Sequence, residues 1–242
     1  MVPRAARKVS ATGIYHIMIR GINRGVIFND NTDKDRFLEI MEKTKEETNY
    51  ELYAYCLMDN HAHLLMKENE VSISLIMKKI CGKYGSWFNY RHHRVGHLFQ
   101  DRFKSECVET NSYFIVILKY ILNNPVKANM VDMPENYKWS SYHEYIKKNK
   151  LTDTMFFLDM LDQNNKKAKK IFIDELKKEE QQIINLTIEN VRRTDREAEE
   201  LITREMKLLK VEGIGQMAVD SRIHFIKSLK AKGITNRQII GI

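Results

Sequence analysis

Apolar residues change their spacing several times along the chain, and each change predicts an element. Ile14-Tyr15-His16-Ile17-Met18-Ile19-Arg20 is β-branched and aromatic, lies between Gly13 and Gly21, and reads as a strand. From Asp33 to Thr48, Phe37, Leu38, Ile40 and Met41 stand among charges, which predicts an amphipathic helix capped by Asn31 or Thr32. Glu51–Met58 and His61–Lys67 are short apolar runs separated by Asp59-Asn60, a pair that tolerates a left-handed turn, so they predict a β-hairpin. Ser72 to Tyr90 returns to helical spacing with Ile73, Ile76, Met77, Ile80, Tyr84, Trp87 and Phe88, the last two expected in the core. Phe103–Glu109 is a weaker strand, and Asn111–Asn123 a helix started by Asn111 or Ser112 and stopped by Pro125. The order strand, helix, strand, strand, helix, strand, helix predicts an α+β fold, a ferredoxin-like antiparallel sheet with packed helices.

Beyond about residue 150 the texture changes. Proline is absent, the first glycine is Gly213, and Lys and Glu dominate at helical spacing. The expected organisation is therefore a domain over residues 1–149 followed by an all-α region over residues 150–242. Gln163 to Asn190 reads as an extended helix or a linker, and Gly213-Ile214-Gly215 as a turn. Ser221 to Ile242 reads as two helices about Lys232-Gly233, either an incomplete helix-turn-helix or a helical hairpin.

Charge adds an expected partner. The chain of 242 residues has a net charge of +8, and residues 1–150 hold 23 Lys and Arg against 17 Asp and Glu. A polyanion would therefore meet the first domain. The densest stretch, residues 76–104, has seven cations (Lys78, Lys79, Lys83, Arg91, Arg94, Arg102, Lys104) against Asp101 alone. Tyr84, Trp87, Phe88, Tyr90, Phe99 and Phe103 are interleaved with them. Charge that follows phosphates, mixed with rings that stack bases, suits a single nucleic-acid strand. His92, His93 and His97 lie in the same basic stretch and suit phosphate better than metal. Three cysteines without C-x-x-C spacing favour reduced thiols and exclude a zinc ribbon. No apolar stretch reaches a membrane span. A cytoplasmic, nucleoid-associated protein with no membrane partner is expected.

Two motifs point to chemistry, each with an ordinary alternative. His61-Ala62-His63 falls on a predicted strand, so both imidazoles face one side and can hold a divalent cation, or serve only in packing. Tyr120 and Asn124 are four residues apart on one helical face, where Tyr120 is either a nucleophile or a core residue. Together they make sense as one site. A tyrosine hydroxyl, with a pKa of about 10, is protonated at neutral pH. Its attack on a phosphodiester needs a cation to polarise the phosphoryl oxygens and steady the leaving 3′ oxygen. Mg²⁺ or Mn²⁺ suits that task.

The sequence resembles the REP-associated tyrosine transposases, a bacterial branch of the single-tyrosine His-hydrophobic-His transposase superfamily. The strings that carry the resemblance are Gly13-Ile14-Tyr15-His16, Arg20-Gly21-Ile22-Asn23-Arg24, Tyr55 through Leu65 with its Asn60-His61-Ala62-His63, Gly96 through Ser105, Lys119-Tyr120-Ile121-Leu122-Asn123-Asn124-Pro125, and Trp139-Ser140-Ser141-Tyr142. They keep order and spacing from about residue 5 to 147. The resemblance implies a metal-dependent single-stranded DNA endonuclease and strand transferase acting at hairpin DNA through a 5′-phosphotyrosine. It makes Tyr120 the nucleophile and His61, His63 and Asn124 the metal site. Arg4, Arg7, Lys8, Arg20, Asn23 and Arg24 join Lys79, Lys83, Arg91, Arg94, Arg102 and Lys104 as expected DNA contacts. Asp59 stands where the family motif commonly has proline, which alters the turn and leaves the ligands alone. The helical tail lies outside the resemblance. A homodimer, and use of Tyr120 in its own or a partner's site, stay open, as do the target sequence and a catalytically silent DNA-binding role on the same fold.

Overall fold

Asp59-Asn60 turns the chain between two apolar runs, and the hairpin it closes forms half of a four-stranded antiparallel sheet. The computed structural model describes residues 7–147 and 150–177 and, further on, residues 199, 202–203, 206, 217, 221–222, 225 and 229. Strands β1 (Ile14–Arg20), β2 (Glu51–Met58), β3 (His61–Lys67) and β4 (Lys104–Cys107) lie in the order β2-β3-β1-β4. Helices α1 (Asn31–Thr48) and α2 (Ile73–Arg91) make the two crossovers, and α3 (Asn111–Lys127) follows the sheet. This is the ferredoxin-like α+β arrangement that the order of elements predicts. Helices α4 (Tyr142–Ile146), α5 (Met155–Leu161) and α6 (Asn165–Lys177) complete the first of two compact units, Met1–Gln182.

Alternation along β1 sorts its residues between two faces. Ile17 and Ile19 turn to the side of α1 and α2, where Phe28, Phe37 and Tyr84 meet at ring distances between 5.1 and 5.5 Å. Tyr84, one of the rings expected to interleave with DNA-binding cations, is instead fully buried and donates to the Ile27 carbonyl. Trp87, expected in the core, is half-buried beneath the guanidiniums of Arg36 and Arg91. The other face carries α3, whose Phe114 packs on Tyr53 of β2. The Trp139-Ser140-Ser141 string covers the free edge of β2: Leu57 N donates to Trp139 O at 2.9 Å and Tyr55 N to Ser141 Oγ at 3.0 Å. An edge so covered is closed to pairing with another chain.

The ends of the helices depart from the sequence reading. Asp30, one residue earlier than expected, caps α1 by accepting from Asp33 N. Thr110, not Asn111 or Ser112, caps α3 by accepting from Tyr113 N at 3.2 Å. Pro125 does not stop α3. It lies near the C-terminal end, and the helix closes beyond it with Ala128 N on Asn124 O and Met130 N on Pro125 O. Pro125 removes only the bond that its N–H would donate back to the Ile121 carbonyl, and the helix runs on two residues to Lys127.

The second compact unit, Ile183–Ile242, is helical at its described residues apart from a bend at Met217, with Ile202, Met217, Phe225 and Leu229 buried. The Gly213-Ile214-Gly215 turn and most of the two-helix reading of residues 221–242 lie outside the described residues. Among those described, no helix is long and apolar enough to cross a membrane. Cys56, Cys81 and Cys107 are all free thiols.

Candidate active site

Residues paired across antiparallel strands point to the same face. His63 pairs with Met18 and Cys56, His61 with Arg20 and Met58, and His16 with Leu65 and Glu106. His16, Arg20, His61, His63 and Glu106 therefore share one face, joined by Lys104 opposite Met18. That is the face on which α3 lies. The ring of Tyr120 is 5.4 Å from that of His63 and 5.9 Å from that of His16, both edge-on. The imidazoles of His61 and His63 are 5.1 Å apart and perpendicular. Asn124, one turn beyond Tyr120, is buried on the same helix. The Lys127 ammonium lies 5.2 Å from the Tyr120 ring centroid.

Each imidazole of the pair is held by its Nδ1. Asn60 Oδ1 lies 2.6 Å from His61 Nδ1, and His16 Nε2 lies 3.0 Å from His63 Nδ1. Ligation by either ring would therefore run through Nε2, the arrangement by which a neighbouring group orients a metal-binding histidine. Among the described residues no three His, Cys, Asp or Glu side chains come together as a metal cluster. If Asn124, buried on the same helix as Tyr120, joined the two imidazoles, the donor set would leave further positions for water or phosphate oxygen. That set fits Mn²⁺ or Mg²⁺, which keep open sites, and suits Mn²⁺ better because it accepts imidazole more readily.

His16 is the residue that the sequence reading left without a role. It is fully buried, and burial holds its pKa down to about 3; His63 is depressed for the same reason, with His16 and His61 adding to the effect. Glu106 Oε2 stands 4.0 Å from His16 Nδ1. The visible signal is a histidine in phase with Arg20 on an otherwise apolar strand. Lys127 was signalled by its spacing, seven residues from Tyr120 and three from Asn124.

The expected DNA contacts divide by location. Arg20 and Lys104 lie on the Tyr120 face. Asn23 and Arg24 are exposed in a turn after β1, both with positive φ. Lys79 and Lys83 bond to Glu47, and Arg91 to Asp30 and Asp33. His92 turns to Asp33 at 3.0 Å. Arg94 covers the Phe88 ring, and Lys8 is exposed with its carbonyl near Cys107 Sγ. Arg7 and Arg102 line a cleft of about 900 Å³ between α2 and residues 96–103. Arg4 lies outside the described residues.

Comparison with known proteins bears on the fold. Residues 10–124 match the model of the family described as "Transposase IS200 like". A Haemophilus influenzae protein provisionally described as a REP-associated tyrosine transposase is 26% identical over 126 residues, covering 47% of this chain and 70% of its own. Among solved structures, a REP-associated tyrosine transposase bound to a REP hairpin superposes with a TM-score of 0.53 at 19% identity, covering 61% of this chain and 87% of that one. Residues 10–124 thus match the IS200-like transposase family model, and over them this chain resembles the REP-associated tyrosine transposases.

Proposed function

We propose that this chain cuts and rejoins single-stranded DNA next to hairpins, with Tyr120 as nucleophile. The observation that carries the reading is the meeting of Tyr120 with His61 and His63 on one face of the sheet, from elements far apart in sequence. The Tyr120 oxygen forms a bond to phosphorus, the bond from phosphorus to the 3′ oxygen breaks, and that oxygen takes a proton to leave as a 3′-OH. The product is a 5′-phosphotyrosine, from which a second 3′-OH can displace the tyrosine. One bond of like energy replaces another, so no nucleotide cofactor is needed.

His61 and His63 through Nε2, with Asn124, would hold Mg²⁺ or Mn²⁺. When bound, the ion would polarise the phosphoryl oxygens and steady the leaving oxygen. Lys127 stands over the Tyr120 ring, and Arg20 and Lys104 hold phosphates on the same face. Hairpin DNA as substrate is suggested by the REP hairpin in the related structure.

The test mixes the protein with labelled hairpin oligonucleotides, single-stranded and duplex, in Mn²⁺ or EDTA, and looks for an adduct that survives denaturation. Adduct is expected on single strands in Mn²⁺ only, and none from Tyr120→Phe, which should still bind DNA. His61→Ala should lose adduct and metal dependence together. Cleavage by Tyr120→Phe would remove the nucleophile assignment, and undiminished cleavage in EDTA would remove the metal.

A further inference from the structure

The cations of residues 76–104 are not equivalent. Lys79 and Lys83 share the Glu47 carboxylate at 3.0 and 2.7 Å, and Arg91 is clamped by Asp30 and Asp33. These three face α1, where carboxylates already answer much of their charge. Arg7, Lys78 and Arg102 form no ion pair among the described residues, and all three line the cleft between α2 and residues 96–103.

Inside that cleft the side chains are arranged as for a ligand. The Arg7 guanidinium lies 3.7 Å over the Phe103 ring and donates to the Phe103 carbonyl at 3.0 Å. Its pKa is lowered by burial and then by the charge of Arg102. Two guanidiniums held together repel, and an anion between them relieves the repulsion. On the opposite wall α2 presents Gly82 and Gly85. A Cβ at Gly82 would meet nothing within 4 Å, and one at Gly85 only the Phe99 ring at 3.9 Å. Glycine weakens a helix interior, and no protein atom needs the space. At about 900 Å³ the cleft has the size of a small-molecule site and excludes a duplex.

We propose that this cleft seats an unpaired nucleotide of the substrate strand, its phosphate between Arg7 and Arg102 and its base against Phe99, Phe103 and the glycine face of α2. This rests on the reading of the substrate as single-stranded DNA. The one carboxylate in the lining, Asp101, repels phosphate and so favours seating it toward Arg7 and Arg102. Ile19 lines the cleft, which places it on the side of the sheet away from Tyr120. Arg102-Phe103-Lys104 links the sides: Arg102 is in the cleft, and Lys104 shares the face of His61 and His63. A strand bent around the β4 edge would follow these cations, so the cleft reads a base some nucleotides from the bond that is cut.

The experiment places 4-thiothymine at successive positions of the unpaired flank of a hairpin oligonucleotide, cross-links by light and maps the attached residue. Affinity is measured in parallel by fluorescence anisotropy at several salt concentrations. One flank position should cross-link to Phe99 or Phe103. Arg102→Ala should weaken binding about tenfold and lower the salt slope by about one. Gly82→Leu, whose Cβ meets no protein atom within 4 Å, should weaken flanked hairpins about tenfold and leave a blunt hairpin within about twofold, with an unchanged circular dichroism spectrum. Lys79→Ala and Lys83→Ala should each lose less than about threefold. Cross-links confined to other segments, or equal losses from Lys79→Ala and Arg102→Ala, would overturn the cleft. The Tyr120 adduct, scored separately at saturating DNA, tests the catalytic reading. An adduct with no cleft cross-link defeats only the cleft, and a cleft cross-link without adduct defeats only the chemistry.

Discussion

His16 and His63 are both buried and both kept neutral by that burial, so the 3.0 Å contact between them holds a single proton. If His63 offers Nε2 to a metal, its Nδ1 carries the hydrogen and donates to His16 Nε2. The hydrogen of His16 then sits on Nδ1, toward the Glu106 carboxylate at 4.0 Å. His16 is thus a positioning residue that sets the tautomer and ring plane of His63. His16→Ala is expected to weaken Mn²⁺ binding by about 10- to 100-fold, read by calorimetry on protein without DNA. His16→Gln, whose carboxamide oxygen can accept from His63 Nδ1, should recover much of the loss. Equal Mn²⁺ affinity in His16→Ala and wild type would reduce the ring to packing. The sequence pointed to His61 and His63 because two residues apart on a strand is a local relation. His16 lay 47 residues away from His63, and only the β3-β1-β4 order brings it between His63 and Glu106. Strand alternation alone said which face it took, not which neighbour it would meet.

Helix α3 carries Tyr120 and Asn124, so its register against the sheet decides whether the site assembles. Its first turn is held by Thr110, whose hydroxyl accepts from Tyr113 N. Thr110→Ala should cost about 1 kcal/mol in unfolding free energy, and Thr110→Ser little of it. The check is urea denaturation, where the midpoint should fall with no change in slope. An unchanged midpoint would mean that the packing of Phe114, Ile117 and Ile121 alone sets where the helix begins. Helical spacing made this element legible, along with β1, the hairpin and α2. Its ends were not, because Thr110, Asn111 and Ser112 are all acceptable caps, and only the folded chain shows which hydroxyl meets an amide. Pro125 misled for a related reason: it removes only the bond back to the Ile121 carbonyl, and the helix still runs on for two residues beyond it. α3 is also tied to α6, a helix from the compositionally different tail. Lys119 Nζ lies 3.6 Å from Glu175, and Asn123 Nδ2 donates to Leu176 O at 3.1 Å. Residue composition gave no sign of that support, since a change of texture near residue 150 says nothing about what packs on what.

In the whole molecule, the geometry bears on whether one copy suffices. Tyr120 lies over His63 of its own chain, and the edge of β2 that could pair with another copy is covered by Trp139-Ser140-Ser141. A Tyr120 ring whose centroid is already 5.4 Å from that of its own chain's His63 needs no exchange of helices between copies to meet it. A mixture of Tyr120→Phe and His61→Ala proteins distinguishes the two arrangements. Each variant alone should form no adduct. If the nucleophile serves its own chain, every copy in the mixture still lacks one half of the site, and the mixture stays inactive at any protein concentration. If α3 is exchanged, a mixed pair contains one complete site and one site lacking both parts. Adduct would then appear on the His61→Ala chain, which retains Tyr120, and would rise with the concentration of mixed pairs. The expected result is no adduct. Labelled His61→Ala protein recovered as the adduct would show that the helix crosses between copies and that Tyr120 works in its partner's site.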